Sequence, residues 1–348
     1  MTSGSGTRRV RGYRWAWGVG LAVTLALLAW ALHGVDAREL MGQLRRADPR
    51  LTLAAVALAT LTFPLRAIRW QLILRDVGGS RFPLLLLWHA TAIGFMANNL
   101  LPVRAGEFAR AYAATRRLPV RFSTALASVG VERVFDGLML VGLMTLAIAS
   151  PGFPHQAAIG TTSISGIATG AAALFAGVLV VALLVVHRPG PWLAALRRGA
   201  HAVLPARFAD RVTHVAGGLV AGLEVLKSPA RFLGVVAWSV VLWVVNAASF
   251  AVCFRAFGLA VPPEGAFLLQ GIVGFGVALP ASPGFVGVFE AATRVTLALY
   301  GIEATPALGY ALAYHATTFV PITLLGLYSL SRMRLHLAEL RQASATQD

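Results

Sequence analysis

Six apolar runs of bilayer length constrain this chain more than any other feature: residues 15–32, 51–70, 123–150, 163–186, 232–254 and 306–330. A helix needs roughly 18 to 20 mostly apolar residues to cross a bilayer, and 163–186 supplies them without one charged side chain. The expected fold class is therefore all-α: a polytopic membrane helical bundle of about six full spans. Composition agrees, with 57% of the 348 residues hydrophobic, 13% charged and a mean hydropathy of +0.71, where a soluble domain is about one quarter charged. A net charge of +16 would suggest nucleic acid in a soluble protein. Here the arginines fall between the apolar runs, as positive-inside loops beside anionic lipid do, so no nucleic-acid partner is expected. Cys253, the sole cysteine, lies inside a run, so neither an intrachain disulfide nor a cysteine metal cluster can form. No metal and no cofactor is expected.

Two proline–glycine–acid stretches interrupt this pattern. The first runs Asn98-Asn99-Leu100-Leu101-Pro102-Val103-Arg104-Ala105-Gly106-Glu107, the second Leu279-Pro280-Ala281-Ser282-Pro283-Gly284-Phe285-Val286-Gly287-Val288-Phe289-Glu290. Proline removes a helical hydrogen bond and glycine admits any backbone angle, so each stretch breaks a helix. Broken backbone at membrane depth survives only inside protein or against a wet cavity. A full crossing by 84–101 would put Arg104, Arg110, Arg116, Arg117 and Arg121 outside, and the arms of the second break (266–279 and 285–300) are shorter than a crossing, so each break reads as the tip of a re-entrant hairpin.

Arginine placement sets the expected topology. With both hairpins dipping in and returning, the basic N-terminus, 66–81, 104–121, 188–231 and the basic tail share the cytoplasmic face. The second hairpin is less constrained, since one dip and two crossings have the same parity. The same spacing separates Leu51 from Leu84 and Phe232 from Gly265, so each half reads span, broken hairpin, span, and the halves form an inverted repeat of the transporter kind. The organisation expected is a basic cytoplasmic N-terminus (1–14), one membrane domain (15–330) and a basic cytoplasmic tail (331–348). Within the domain, repeats at 51–150 and 232–330 flank an amphipathic basic linker (188–231) that lies at the interface. The run 15–32 is longer than the roughly 7 to 15 residues of a cleavable signal core, and is read as an uncleaved first helix. The segment 34–50 reads as a mixed-charge loop, and Arg66 and Arg69 as snorkelling to the interface.

These motifs, in order Arg69-Trp70, Asn98-Asn99-Leu100-Leu101-Pro102 with Arg104, Gly106, Glu107 and Arg110, then Glu132-Arg133 with Asp136, then Pro280, Pro283-Gly284, Gly287 and Glu290, resemble the lysylphosphatidylglycerol synthase transmembrane-region family. Its members are flippase-like membrane proteins, similar to the lipid-translocating half of the multiple peptide resistance factor. The resemblance covers about 51–330 and implies a lipid-handling membrane domain. No aminoacyl-transferase domain follows Leu330, so lysyl transfer from tRNA is not expected.

The charged residues within the spans are the candidates for chemistry. Glu132 and Asp136 share a helix face, with Arg133 about 100° round, and intramembrane ionisable groups face a bundle interior or an aqueous cavity. They read as a headgroup or proton site, or as a buried ion-pair network reaching Arg104 or Arg110. Arg104 and Arg110 flank Glu107 at the start of a half-helix, which suits either a salt-bridge cluster or a phosphate site. Asn98 and Asn99 are expected to bond backbone groups freed by the break, while Pro102, Gly106, Pro280, Pro283, Gly284 and Gly287 shape the two tips. Glu290 has Arg294 one turn on as its expected partner, and His315 reads as a packing residue.

The favoured reading is a flippase-like transporter of a phospholipid or polyprenyl-phosphate-linked lipid, binding its headgroup through Arg104, Glu107, Arg110, Glu132, Arg133, Asp136 and Glu290. The partner is thus an anionic or phosphate-bearing membrane lipid. No catalytic motif is seen, so an enzyme is not expected. Two alternatives stay open: an integral membrane enzyme acting on lipid-linked sugar or phosphate, with Glu132 and Asp136 as acid and base, and a non-catalytic partner of a membrane lipid enzyme.

Overall fold

The computed structural model describes residues 21–75, 79–101, 105–154, 158–159, 162–163, 170, 173, 177, 188–223, 228–278, 283–337 and 339–340. Pro102, Arg104, Pro280 and most of the run 163–186 lie outside the described residues. What is described is helical, apart from a two-residue antiparallel ladder, β1 (Ala158–Ile159) on β2 (Thr162–Ser163), and one isolated bridge between Arg75 and Arg81.

The described residues begin with α1 (Leu21–Leu32) and α2 (Ala37–Arg46), which meet at 86°. The mixed-charge segment is thus a helix rather than a loop. Asp36 caps it, accepting from the N–H groups of Arg38 (2.7 Å) and Glu39 (3.1 Å), and Arg45 and Arg46 sit in its last turn, where cations offset the helix dipole. The helix α3 (Pro49–Ile73) begins the same way, with Asp48 accepting from the N–H groups of Arg50 and Leu51 and Pro49 in the first turn. The first broken pair is α4 (Leu84–Leu100) and α5 (Gly106–Thr115), followed by the long α6 (Phe122–Ala149). The basic linker forms two helices, α7 (Pro189–Val203) and α8 (Ala206–Leu223), parted at Leu204-Pro205 because proline cannot continue a helix. The second half contains α9 (Pro229–Ala256), the broken pair α10 (Pro263–Ala278) and α11 (Val288–Leu299) around a turn at Pro283–Phe285, and α12 (Ala304–Arg332).

Among the described residues α3, α9 and α12 are long and apolar enough to cross a bilayer, and the bent pair α1–α2 makes a fourth if taken as one span. This falls short of six full spans. The helix α6 has the length but carries Glu132, Arg133 and Asp136, and the run 163–186 is mostly outside the described residues.

Two cores form. One surrounds Trp70, with Leu87, Ile93 and Met96 of α4 and Phe135 of α6. The other surrounds Tyr310 and Tyr314 of α12, with Phe250 of α9 stacked on Tyr314 at 4.5 Å between ring centroids. Lipid tails are as apolar as these side chains, so close fit and polar links rather than water exclusion hold the helices together. The α4–α5 hairpin illustrates this: a Cβ on Gly106 would stand 2.2 Å from the Gly94 carbonyl oxygen, so only glycine allows the approach. Packing between the halves is reciprocal. The helix α3 lies along α9, α4 lies on α12, and α10 lies on α6.

Candidate functional site

Four guanidiniums and two carboxylates meet where α3, α5 and α6 pass one another beside α9. Glu132 and Asp136 project from one face of α6, one turn apart, and both are buried. From α3, Arg69 is fully enclosed. Its Nη1 donates to Asp136 Oδ1 at 2.7 Å and to Ser239 Oγ of α9 at 3.1 Å, and it lies 3.5 Å from Glu132. Arg66, one turn earlier, reaches Asp136 Oδ2 at 3.4 Å, and Arg133 reaches the same oxygen at 3.2 Å. Trp243 Nε1 donates to Asp136 Oδ1 at 3.0 Å. Glu132 in turn accepts from Arg110 Nη1 of α5. Aromatic faces complete the lining: Arg110 sits 3.8 Å over the Trp70 ring, and Arg66 lies near both Phe95 (5.1 Å) and Trp243 (5.3 Å). A guanidinium stacks on such faces better than an ammonium does.

Among the described residues, charge does not balance in this cluster. Arg66, Arg69, Arg110 and Arg133 bring four positive charges to the two negative ones of Glu132 and Asp136. Burying an unpaired charge costs several kcal/mol, so a surplus of guanidinium inside a bundle favours an incoming anion. The donors for one are in place. Arg110 Nε and Nη2 and Arg133 Nε are buried without a hydrogen-bond partner among the described residues. The Arg133 side chain is 36% exposed, the most open of the four, and gives the cluster a way out. Glu132 meets two of the guanidiniums and Asp136 three, which suits both carboxylates to fix the arginines in place.

A second polar centre lies at the other break. Gly284 (φ +72) and Phe285 (φ +58) both take left-handed backbone, which for phenylalanine is strained. Gly287 caps α11, its N–H donating to Glu290 Oε2 at 2.6 Å, the reciprocal half of a capping box. The other oxygen, Glu290 Oε1, lies 2.7 Å from His315 Nδ1, and His315 Nε2 lies 2.8 Å from the Gly284 carbonyl oxygen. One histidine from α12 thereby ties the tip of the break to the first turn of α11. The tip also meets the first hairpin, since a Cβ on Gly284 would stand 3.6 Å from the Asn99 carbonyl oxygen and 2.6 Å from Phe319.

The structure places the sequence candidates as follows. Glu132, Arg133, Asp136 and Arg110 come together. Glu107 stands in the first turn of α5. Asn98 Oδ1 accepts from the Gly106 N–H at 2.8 Å, whereas Asn99 turns to α12, donating to Thr323 Oγ1 at 2.9 Å. Glu290 belongs to a different centre from the arginine cluster. Its partner is His315 and not Arg294, which instead donates to the carbonyl oxygens of Trp30, Ala31 and His33 and so closes the C-terminal end of α1. Pro283 begins the turn at the second tip. Arg66 and Arg69 do not snorkel: they point inward to Asp136 and are the site residues that sequence reasoning missed. Their spacing of three, which puts them on one helical face with Trp70 beside them, was the available signal. Among the described residues no three His, Cys, Asp or Glu side chains gather as a metal site.

Comparison with known proteins adds two findings. The family model described as the lysylphosphatidylglycerol synthase TM region matches residues 17–326. A protein of Haloferax volcanii named Glycosyltransferase AglD is 31% identical over 322 residues, which cover 85% of this chain and 51% of that protein. The chain thus spans about half the length of this relative. The expectation that the chain is not an enzyme is withdrawn on this ground, because a relative of this similarity bears an enzyme's name. With the family match running through both breaks and all six residues of the arginine–carboxylate cluster, the chain belongs to the lysylphosphatidylglycerol synthase transmembrane-region family.

Proposed function

We propose that this protein is an integral membrane protein that binds a lipid-linked phosphate or sugar phosphate and acts on it in glycosyl transfer. The observation that carries the reading is the surplus of two guanidiniums among Arg66, Arg69, Arg110 and Arg133, with Arg110 and Arg133 N–H groups left open. A phosphate ester matches that charge and those forked donors. If a glycosyl group passes from a lipid phosphate to an acceptor hydroxyl, the anomeric C–O bond to the phosphate breaks as the bond to the acceptor oxygen forms, the hydroxyl proton passes to the released phosphate or to water, and prearranged guanidiniums stabilise the negative charge that grows on the phosphate oxygen. The name of the Haloferax relative points to the same class of chemistry.

The test uses purified full-length protein in nanodiscs, loaded with a polyprenyl phosphate or with the uncharged polyprenol of equal length. The phosphate form should be retained at least tenfold better, and Arg133→Gln should remove most of that preference. A labelled polyprenyl-phosphate-linked hexose should then be turned over. Equal retention of the two lipids would sink the proposal.

A second reading, movement of the same lipid between leaflets, draws on the reciprocal packing of α4 on α12 and α10 on α6. That pattern supports an inverted repeat of 51–150 and 232–330, as in alternating-access transporters; cytoplasmic termini are proposed from arginine placement alone. A labelled polyprenyl phosphate crossing liposomes no faster with protein than without it would remove this reading.

A further inference from the structure

A cavity of about 740 Å³ lies away from both centres, between the start of α4 and the ends of α5 and α12. Its wall contains Arg117, Arg332 and Arg334 together with His89, and Leu85 and Leu86 form an apolar lip. Among the described residues no carboxylate lines it. Arginines at helix ends ordinarily spread into water, where each is solvated separately. Here three exposed arginines line one concavity of the size that holds a small ligand, and their summed field favours an anion there.

Two of the three are held in place. Arg117 Nη2 donates to the Met333 carbonyl oxygen at 3.0 Å, which fixes its guanidinium against the wall. Arg334 is fixed by its backbone. The end of α12 is a Schellman motif, with the Leu335 N–H bonded to the Leu330 carbonyl (3.1 Å) and the Arg334 N–H to the Ser331 carbonyl (3.0 Å). The residue at the left-handed position of that motif is usually glycine. In this chain the ends of α9 and α11 make the same pair of bonds and carry Gly258 (φ +65) and Gly301 (φ +74) there. At α12 the position is Arg334, with φ +53. A side chain strained where two sister motifs use glycine is kept for what the side chain does.

We infer that this cavity is a binding site for a phosphate-bearing group, separate from the buried arginine cluster. The lip is suited to a ligand that arrives at the membrane edge, since Leu85 is 61% exposed and lines the same concavity as the arginines. The same chemistry is offered by an anionic lipid headgroup and by a soluble diphosphate, and the experiment separates them. The proposal does not depend on the function proposed for the buried cluster, because the readout is binding at residues outside it.

Full-length protein in mild detergent is compared with an Arg332→Gln/Arg334→Asn variant, asparagine being chosen because it accepts left-handed backbone. Native mass spectrometry counts retained phosphatidylglycerol against phosphatidylcholine, and calorimetry titrates inorganic pyrophosphate. Loss of phosphatidylglycerol retention by at least tenfold, with phosphatidylcholine unchanged, assigns the site to a lipid headgroup. A tenfold weaker pyrophosphate affinity assigns it to a soluble diphosphate. If neither probe distinguishes a variant that unfolds at the wild-type temperature, the site does not exist. Should the double variant fail to fold, Arg332→Gln alone, at an exposed position of ordinary helical backbone, gives the same comparison: tenfold weaker binding of either probe supports the site, and unchanged binding of both overturns it.

Discussion

Asp136 holds three guanidiniums and an indole N–H at once, so it is the residue on which the cluster's geometry depends. Replacing it with asparagine leaves Arg69, fully enclosed, without its closest counter-charge. Removing one partner of a buried pair costs about 3 to 5 kcal/mol, and the unfolding temperature of Asp136→Asn in detergent should fall accordingly. Exchanging both members in Arg69→Met/Asp136→Leu should recover part of that loss, because no charge is then stranded between those two positions. Arg133→Gln behaves differently. Its side chain is partly open to solvent, so stability should fall by less than about 1 kcal/mol, while retention of a lipid phosphate drops. A variant in which stability and lipid retention fall together would make Arg133 structural. The acid pair was legible in the sequence, because two carboxylates one turn apart in an apolar run can only face inward. Arg66 and Arg69 were not. An arginine near the end of an apolar run can turn to the interface or to a buried partner, and the local pattern does not distinguish the two.

Breaks, caps and close approaches decide the behaviour of the elements. Gly106→Ala places a methyl group 2.2 Å from the Gly94 carbonyl and 2.4 Å from Asn98, in backbone that cannot yield easily. Overpacking of this kind costs roughly 1 to 3 kcal/mol, and the variant should melt earlier while Gly199→Ala, on an open face of α7, should not. At the second break, His315→Phe removes the link between Glu290 and the Gly284 carbonyl. A cysteine at Val286, beside that tip and 38% exposed, should then react faster with maleimide, Cys253 having been replaced by serine. An unchanged rate would mean that the Gly287 cap alone holds the tip. The existence of both breaks followed from proline and glycine in apolar surroundings. The tie across the second one did not, since Glu290 and His315 meet only through tertiary packing. The helix α2 carried its own signal, Asp36 at the cap with Glu39 in the first turn and two arginines in the last, which a reading by hydrophobicity alone passed over.

For the whole molecule, the expected membrane orientation rests on where the arginine-rich ends gather. Arg117 at the end of α5 is bonded to Met333 at the end of α12, so these two ends share one side of the bundle. The opposite side brings Gly152 beside Glu264 and Phe153 against Tyr300, at 6.4 Å between ring centroids. The connections after α6 and before α10 therefore meet each other there. If arginine placement follows the positive-inside pattern, the first side is expected to face the cytoplasm. Single cysteines at Arg117 and Pro151, in a chain with Cys253 replaced by serine, test the assignment without touching either polar centre. In intact cells an impermeant maleimide should label Pro151→Cys and spare Arg117→Cys, and permeabilised cells should label both. Labelling of Arg117→Cys in intact cells would make α4 a single true crossing, with α5 left on the outer side. The two halves could not then be inverted copies, and the leaflet-exchange reading would lose the symmetry it draws on, while phosphate binding at the arginine cluster would be unaffected.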